Sequence, residues 1–176
     1  LTSTARHAHA KDKVATLVSD GPAQQEGAMR VLNVQTAHTS TLFCVNSTRK
    51  PHLYLEFYSG TKLLHRSSVV KEEMQPDWGN DAIRLDLRGH MERTLTIYIM
   101  VKNYLLSDHP LGVVTVPLLS QDLLTREEAY PIDCSVNSAS AEALEEAIAT
   151  TDLKPPVFFI TLLAVRERED TSINSK

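Results

Sequence analysis

Short stretches in which apolar and polar residues alternate constrain the fold of this chain more than any other feature. The clearest stretch runs from Ile83 to Arg88, where Ile, Leu and Leu alternate with Arg, Asp and Arg. A second stretch, from Thr94 to Val101, has the same period of two. Because successive side chains of a strand point to opposite faces, this period predicts two strands that each have one buried face.

Further segments have strand-like composition, and short polar connections separate most of them. Residues 53–58 are rich in aromatics and end at Ser59-Gly60, a turn signal, which predicts a hairpin with residues 62–71. The other predicted strands are 29–36, 113–118, 130–133 and 157–165. About eight such strands are typical of an antiparallel sandwich rather than an alternating β-α-β fold. The sequence therefore predicts an all-β fold, an eight-stranded antiparallel β-sandwich.

One segment departs from the strand pattern. Residues 138–150 place Ala141, Leu144 and Ile148 at helical spacing, and Pro155-Pro156 follows. Because proline disfavours helical geometry in the residue before it, this pattern predicts a short helix inserted between the last two strands. The acidic exposed face of this helix leaves two interpretations open, a docking element or a cover for the open end of the sandwich.

The length of 176 residues predicts one domain with loose ends. Residues 1–27 are polar and rich in alanine, so we expect a flexible lead-in before a domain at 28–166, followed by a polar tail at 167–176. The chain starts at Leu1 rather than Met, and we therefore expect it to be part of a longer protein.

Charge and composition argue against several classes of protein. A net charge of −4 argues against a nucleic-acid partner and weakens attraction to anionic lipid. No apolar stretch approaches the roughly 20 residues that span a bilayer, and the N-terminus lacks the pattern of a secretory signal. Cys44 and Cys134 do not have the spacing of a metal site and are too few for a disulfide framework. A reduced, cytoplasmic setting is the simplest interpretation.

Four motifs in fixed order carry a family resemblance. They are Lys50-Pro51-His52, Lys71 through Pro76-Asp77-Trp78, Val101-Lys102-Asn103 and Leu111-Gly112. In this order, within an all-β pattern from about Met29 to Val165, they resemble the C2 domain family. The resemblance implies a C2-like sandwich, and its first and last strands are similar to the circularly permuted of the family's two topologies.

The resemblance fails where C2 domains hold calcium, with aspartates from two loops at one end of the sandwich. Here the first loop, 38–51, contains no Asp or Glu, and Lys50 stands at the position of its terminal aspartate. In the second loop Asn103 and Leu105 replace the paired aspartates, which leaves only Asp108. Because calcium takes six to eight oxygen ligands, we expect no calcium and no other cofactor.

The same two loops carry apolar and basic residues instead. If these residues point outward together, they predict a surface that binds a partner or a membrane. The alternative is that the apolar residues pack on each other and cap the core. The candidate residues of this surface are Leu42, Phe43, Arg49, Lys50, Lys102, Tyr104, Leu105 and Leu106.

The predicted hairpin offers a second candidate surface. It is similar in position to the basic strand that some C2 domains use for anionic lipids, and its residues are Lys62, Arg66 and Lys71. Glu56, Glu72 and Glu73 lie nearby in the sequence and reduce the positive field, so a solvated polar face is the alternative.

Metal binding and catalysis have little support in the sequence. His7 and His9 fall in the predicted lead-in, where no surrounding residues would fix them around zinc. Cys44 with a histidine would be the basis of a cysteine-dependent enzyme, although no local motif supports it. We also expect Trp78 to anchor the core.

The sequence predicts a non-catalytic, calcium-independent interaction module that docks a protein partner within a larger protein. Calcium-independent phospholipid binding is the first alternative, and the cysteine-dependent enzyme is the second. We expect a cytoplasmic protein, with association to cytoskeleton or membrane.

Overall fold

The computed structural model describes residues 31–42, 50–90, 92–118, 126–151 and 154–165. Within these ranges the chain forms eight strands and one helix. In chain order they are β1 (Val31–Thr39), β2 (Leu53–Ser59), β3 (Lys62–Arg66), β4 (Ile83–Asp86), β5 (Thr94–Val101), β6 (His109–Pro117), β7 (Glu128–Pro131), α1 (Ser138–Thr151) and β8 (Val157–Ala164).

The strands form two four-stranded antiparallel sheets. One has the order β4-β1-β8-β7 and the other has the order β3-β2-β5-β6. Apolar side chains from both sheets fill the space between them, including Leu32, Leu55, Phe57, Ile97 and Phe158, all at 0% exposure. The predicted eight-stranded antiparallel sandwich, with its helix between the last two strands, is confirmed.

The alternating strands behave as their period predicts. In β4, Ile83 and Leu85 are buried while Arg84 and Asp86 are exposed. In β5 the residues Leu95, Ile97 and Ile99 are buried on one face. β2 lies between β3 and β5, and its residues 53–57 are all buried, including Glu56.

The segment between β3 and β4 packs along the end of β1. Trp78 is 2% exposed, and its backbone N–H donates to the carbonyl of Ala37 at 2.7 Å. The N–H of Thr39 donates to the carbonyl of Pro76 at 3.2 Å. The prediction that Trp78 anchors the core is confirmed.

Several strand boundaries differ from the predicted ones. β1 extends through Thr39, so the connection predicted to begin at His38 begins later. β6 begins at His109 rather than Val113, since its first residues pair with the end of β5. β3 ends at Arg66, although Val70 still bridges to Leu53. β7 covers 128–131 rather than 130–133, because Asp133 instead bridges to Val113 on the other sheet. The predicted lead-in 1–27 and tail 167–176 lie outside the described residues.

One end of the sandwich gathers the connections that matter for function. The register places Thr39 opposite Phe158, Leu53 opposite Val101, and Val101 opposite His109. We call this end the loop end; it comprises residues 40–42, 50–52, 67–78, 102–108 and helix α1. At the other end the N–H of Val165 donates to the carbonyl of Val31 at 2.9 Å, so the first and last strands lie side by side. No helix in the described ranges has the length and apolarity needed to cross a membrane.

Candidate functional site

Three consecutive apolar side chains project from the loop end between β5 and β6. Tyr104 is 66% exposed, Leu105 is 94% exposed and Leu106 is 76% exposed. We call these three residues the apolar tip. Single exposed apolar side chains are ordinary, whereas a contiguous exposed group is a feature of binding sites.

The tip has a defined backbone shape although its side chains are exposed. The side-chain oxygen of Asn103 accepts hydrogen bonds from the backbone N–H groups of Leu105 and Leu106, each at 3.0 Å. Asparagine commonly holds a turn in this way. The ring of Tyr104 also meets the ring of His52 edge-on, with centroids 5.5 Å apart. The turn therefore holds the tip in place, and the leucines remain available for contact.

Asp108, just after the tip, is engaged by three donors. Its Oδ1 accepts from the backbone N–H of Asn103 at 2.9 Å, and its Oδ2 accepts from Lys102 Nζ at 3.0 Å and from the Tyr54 hydroxyl at 2.9 Å. The bond from the Asn103 backbone, followed by the Lys102 ammonium and the Tyr54 hydroxyl, lowers the pKa of Asp108 to about 2. The carboxylate is therefore charged at neutral pH, and it already accepts three hydrogen bonds.

Tyr54 links this cluster to the sheet. It is 3% exposed on β2, and burial together with its bond to Asp108 raises its pKa to about 12. The guanidinium carbon of Arg66 lies 5.5 Å from the centre of the Tyr54 ring. Sequence reasoning missed Tyr54, because it lies 54 positions from its partner and sits in an ordinary strand pattern.

The first predicted loop contributes less to this surface than expected. Leu42 is only 2% exposed, and its N–H donates to the carbonyl of Met74 at 2.8 Å, so it belongs to the core. Lys50 is exposed. The N–H groups of Gln75 and Met74, together with the charge of Lys50, lower the pKa of Glu73. Phe43 and Arg49 lie outside the described residues.

The predicted basic face is neutralised at its centre. Arg66 stands opposite Glu56 in the β2–β3 register and donates to Glu56 Oε1 from Nε at 2.9 Å and from Nη2 at 2.5 Å. Glu56 is 6% exposed and also accepts from the Tyr58 hydroxyl at 2.9 Å. Lys62 and Lys71 are exposed. Of the three predicted cations, Arg66 is therefore committed to an internal ion pair.

Helix α1 reaches the same end of the molecule. The side-chain amide of Asn137 donates to the carbonyl of Pro110, on the strand after the tip, at 3.2 Å. The backbone carbonyl of Asn137 accepts from the N–H of Ala141, the first bond of the helix, at 3.0 Å. Leu144 and Ile148 are half-buried. The acidic residues of the helix are exposed: Glu142, Glu145 and Glu146.

The described ranges offer few side chains for metal binding or nucleophilic catalysis. These ranges contain no group of three or more His, Cys, Asp or Glu residues that could hold a metal ion. Cys134 is half-buried, and burial raises the pKa of its thiol. Cys44, His7 and His9 lie outside the described residues, so the cysteine-enzyme and histidine-metal hypotheses are not tested.

Comparisons with known proteins agree with this architecture. A family model described as C2 domain matches residues 30–132. The fold is similar to a C2 domain of a plant Extended Synaptotagmin 1, with a TM-score of 0.56 and 7% identity over 79% of this chain and 98% of that one. It is also similar to a C2 domain-containing protein from a putative elicitor-responsive gene, with a TM-score of 0.53 and 15% identity over 80% and 92%. A search of curated proteins found no match.

Proposed function

We propose that this chain, which belongs to the C2 domain family, docks a protein partner through its apolar tip without calcium. C2 domains are in general non-catalytic modules that bind proteins or phospholipid membranes. The observation that carries the proposal is the apolar tip, which is exposed yet held in one backbone shape by Asn103.

Exposed leucines at a fixed turn favour docking energetically. Full burial of a leucine side chain contributes roughly 1.5–3 kcal/mol. Leu105 is 94% exposed, so nearly all of that contribution is still available to a complex. Because Asn103 already orders the turn, binding costs less conformational entropy than it would for a loose loop. The tip thus offers a partner a preorganised apolar contact.

The charged groups beneath the tip support calcium independence. Calcium needs six to eight oxygen ligands, and its affinity depends on how many are anionic. Asp108 is the one carboxylate of its loop, and it already accepts from the Asn103 N–H, the Lys102 ammonium and the Tyr54 hydroxyl. A metal ion at this carboxylate would have to displace an ammonium that lies 3.0 Å away. These residues do not fit calcium.

Electrostatics favour a protein over an anionic membrane as the ligand. The net charge is −4, and Arg66 is paired with Glu56 rather than free for phosphate. Anionic lipid attracts basic segments at about 1 kcal/mol per cation. The described segments of the loop end supply Lys50, Lys71 and Lys102, and Lys102 is paired with Asp108. The exposed apolar side chains of the tip favour one second candidate, insertion into a neutral lipid interface.

Two further elements belong to the proposal. One is the circularly permuted C2 topology, which we propose because β1 comes first in the chain and β8 comes last. We also propose that the domain works in the cytoplasm as part of a larger protein.

Capture by the purified domain tests the proposal. Immobilised wild type is compared with Leu105→Ser/Leu106→Ser and with Leu63→Ser, a matched control at the opposite end where Leu63 is 40% exposed. Proteins recovered from cell extract by wild type are identified and then re-measured as purified proteins, in calcium and in chelator. We expect the tip variant to lose binding, the control to retain it, and calcium to have no effect.

Vesicle sedimentation separates the two candidate ligands. We expect wild type to remain unbound with both neutral and anionic vesicles. Tip-dependent sedimentation with neutral vesicles, without a protein partner that depends on the tip, would show that lipid is the ligand. Calcium-triggered binding of either kind would refute calcium independence.

A further inference from the structure

We infer that Tyr54 is a positioning residue for docking: it holds Asp108 from strand β2, and through Asp108 it fixes the direction in which the apolar tip faces. This inference rests on the proposed docking function and names a residue that acts on the tip without contacting the partner.

The backbone of the tip is held in two steps that begin at Asp108. Its Oδ1 accepts from the backbone N–H of Asn103 at 2.9 Å. The side-chain oxygen of Asn103 then accepts from the N–H groups of Leu105 and Leu106, each at 3.0 Å. Because the first bond holds the residue that makes the other two, the orientation of both leucines depends on the position of the Asp108 carboxylate.

Tyr54 ties that carboxylate to the sandwich. The other two donors to Asp108, the Lys102 ammonium and the Asn103 N–H, belong to the 102–108 loop and move with it. The Tyr54 hydroxyl, which donates to Oδ2 at 2.9 Å, comes from β2, 54 positions away. Lysine also carries its charge on a flexible four-carbon stem, so its ion pair fixes direction poorly. Of these three donors, Tyr54 is therefore the one that relates the loop to the sheet.

The Tyr54 side chain has little freedom to move. It is 3% exposed, and the guanidinium carbon of Arg66 lies 5.5 Å from the centre of its ring. Arg66 is itself bound to the buried Glu56 carboxylate. Burial, together with the bond to Asp108, raises the pKa of Tyr54 to about 12, so its hydroxyl is a donor at neutral pH. The sheet thus presents Asp108 with a donor at a fixed point.

Two other contacts join the loop to the residue before β2, and neither involves the leucines. The N–H of Lys102 donates to the carbonyl of His52 at 2.8 Å, which fixes the start of the loop. The rings of Tyr104 and His52 meet edge-on, which holds the first residue of the tip. The direction of Leu105 and Leu106 is left to the bonds that begin at Asp108.

A variant without the Tyr54 hydroxyl keeps every group that a partner contacts, and it should still bind more weakly. The apparent affinity falls in proportion to the fraction of molecules whose tip has the binding orientation. Because the bound complex has the same contacts, the association rate should fall and the dissociation rate should stay the same. A general loss of stability in a protein that remains folded does not produce this pattern.

Amide hydrogen exchange and binding kinetics of Tyr54→Phe test the inference. The matched control is Tyr58→Phe, which removes a hydroxyl that also donates at 2.9 Å to a carboxylate, that of Glu56, from the far end of the same strand. Nuclear magnetic resonance measures the exchange of the Leu105 and Leu106 N–H groups. The binding probe is an antibody fragment selected on wild type and rejected by the tip variant Leu105→Ser/Leu106→Ser. This probe reads the tip directly and needs no natural partner.

We expect the N–H groups of both leucines to exchange about three- to tenfold faster in Tyr54→Phe than in wild type, with association of the fragment slowed by a similar factor. Tyr58→Phe should lower stability by a similar amount and leave both measurements at their wild-type values. In an Asp108→Ala background Tyr54→Phe should have no further effect, since it acts through that carboxylate.

Exchange and association that are the same in Tyr54→Phe as in Tyr58→Phe would overturn the inference and leave tip docking intact. A further effect of Tyr54→Phe in the Asp108→Ala background would also overturn it. Faster exchange in Tyr54→Phe, together with a natural partner that binds the tip variant as well as wild type, would overturn tip docking while confirming that Tyr54 positions the tip.

Discussion

Replacing Tyr54 with Phe removes one hydroxyl and leaves the aromatic ring near Arg66 in place. That hydroxyl donates to Asp108 at 2.9 Å. A hydrogen bond to a charged group contributes roughly 1.5–3 kcal/mol. Because the Lys102 ammonium and the Asn103 N–H still hold the carboxylate, the loss should be smaller. We therefore expect the free energy of unfolding of Tyr54→Phe to fall by about 1–1.5 kcal/mol.

Urea unfolding measures this loss, followed by the fluorescence of Trp78, the single tryptophan, which is 2% exposed. For a chain of this length the melting temperature should fall by about 2–5 °C. Tyr104→Phe is the matched control: Tyr104 is 66% exposed, so the same chemical change there should leave stability unchanged.

The pH dependence provides an independent measurement of the same bond. The pKa of Tyr54 is raised from 10.0 to about 12, so its contribution is fully present below pH 10 and is lost as pH rises through about 12. Tyr54→Phe should lack this part of the alkaline loss. If Tyr54→Phe and Tyr104→Phe unfold at the same urea concentration, with the same alkaline profile, the tyrosine does not hold the tip loop as described.

Three further substitutions follow from the structure. Gly112→Ala would place a Cβ 2.4 Å from Ile132 Cγ2 and should cost about 1–3 kcal/mol in urea unfolding; an unchanged midpoint would contradict that close approach. The pKa of Asp108 is lowered from 3.8 to about 2, so its contribution to the free energy of unfolding should be lost as pH falls through about 2. Asp108→Asn should show a smaller loss of stability in acid. If the variant follows the wild-type profile, Asp108 is not the source of that loss. Glu56→Gln should release Arg66 and increase binding to anionic vesicles, and unchanged sedimentation would show that the ion pair does not suppress lipid binding.

The sandwich could be predicted because its strands carry local signals. The alternation in β4 and β5, the turn at Ser59-Gly60 and the helical spacing in α1 each depend on neighbours in sequence. The boundaries were less accurate where pairing decides them. β6 begins at His109 because the end of β5 continues the ladder there, although His109 and Pro110 have no strand character of their own.

Part of the candidate site could also be predicted, because some of its residues belong to local sequence motifs. Leu105 could be named because it stands where a family motif has an aspartate, and Leu106 because it follows in the same apolar run. Leu42 could not be placed, since its burial depends on the contact with Met74 across the loop end. The position of the helix start could not be predicted either, since it depends on the hydrogen bond from the Asn137 amide to the Pro110 carbonyl.

The bond between Val165 and Val31 determines how the sandwich can be attached to other domains. Both chain ends of the sandwich leave from neighbouring points, and a nine-residue strand such as β1 separates them from the tip by about 30 Å. A protein that carries the sandwich can therefore be joined to it at one end only, and the apolar tip then faces away from that protein. Insertion into a surface loop of another protein, or a tag at either side, should leave the tip uncovered.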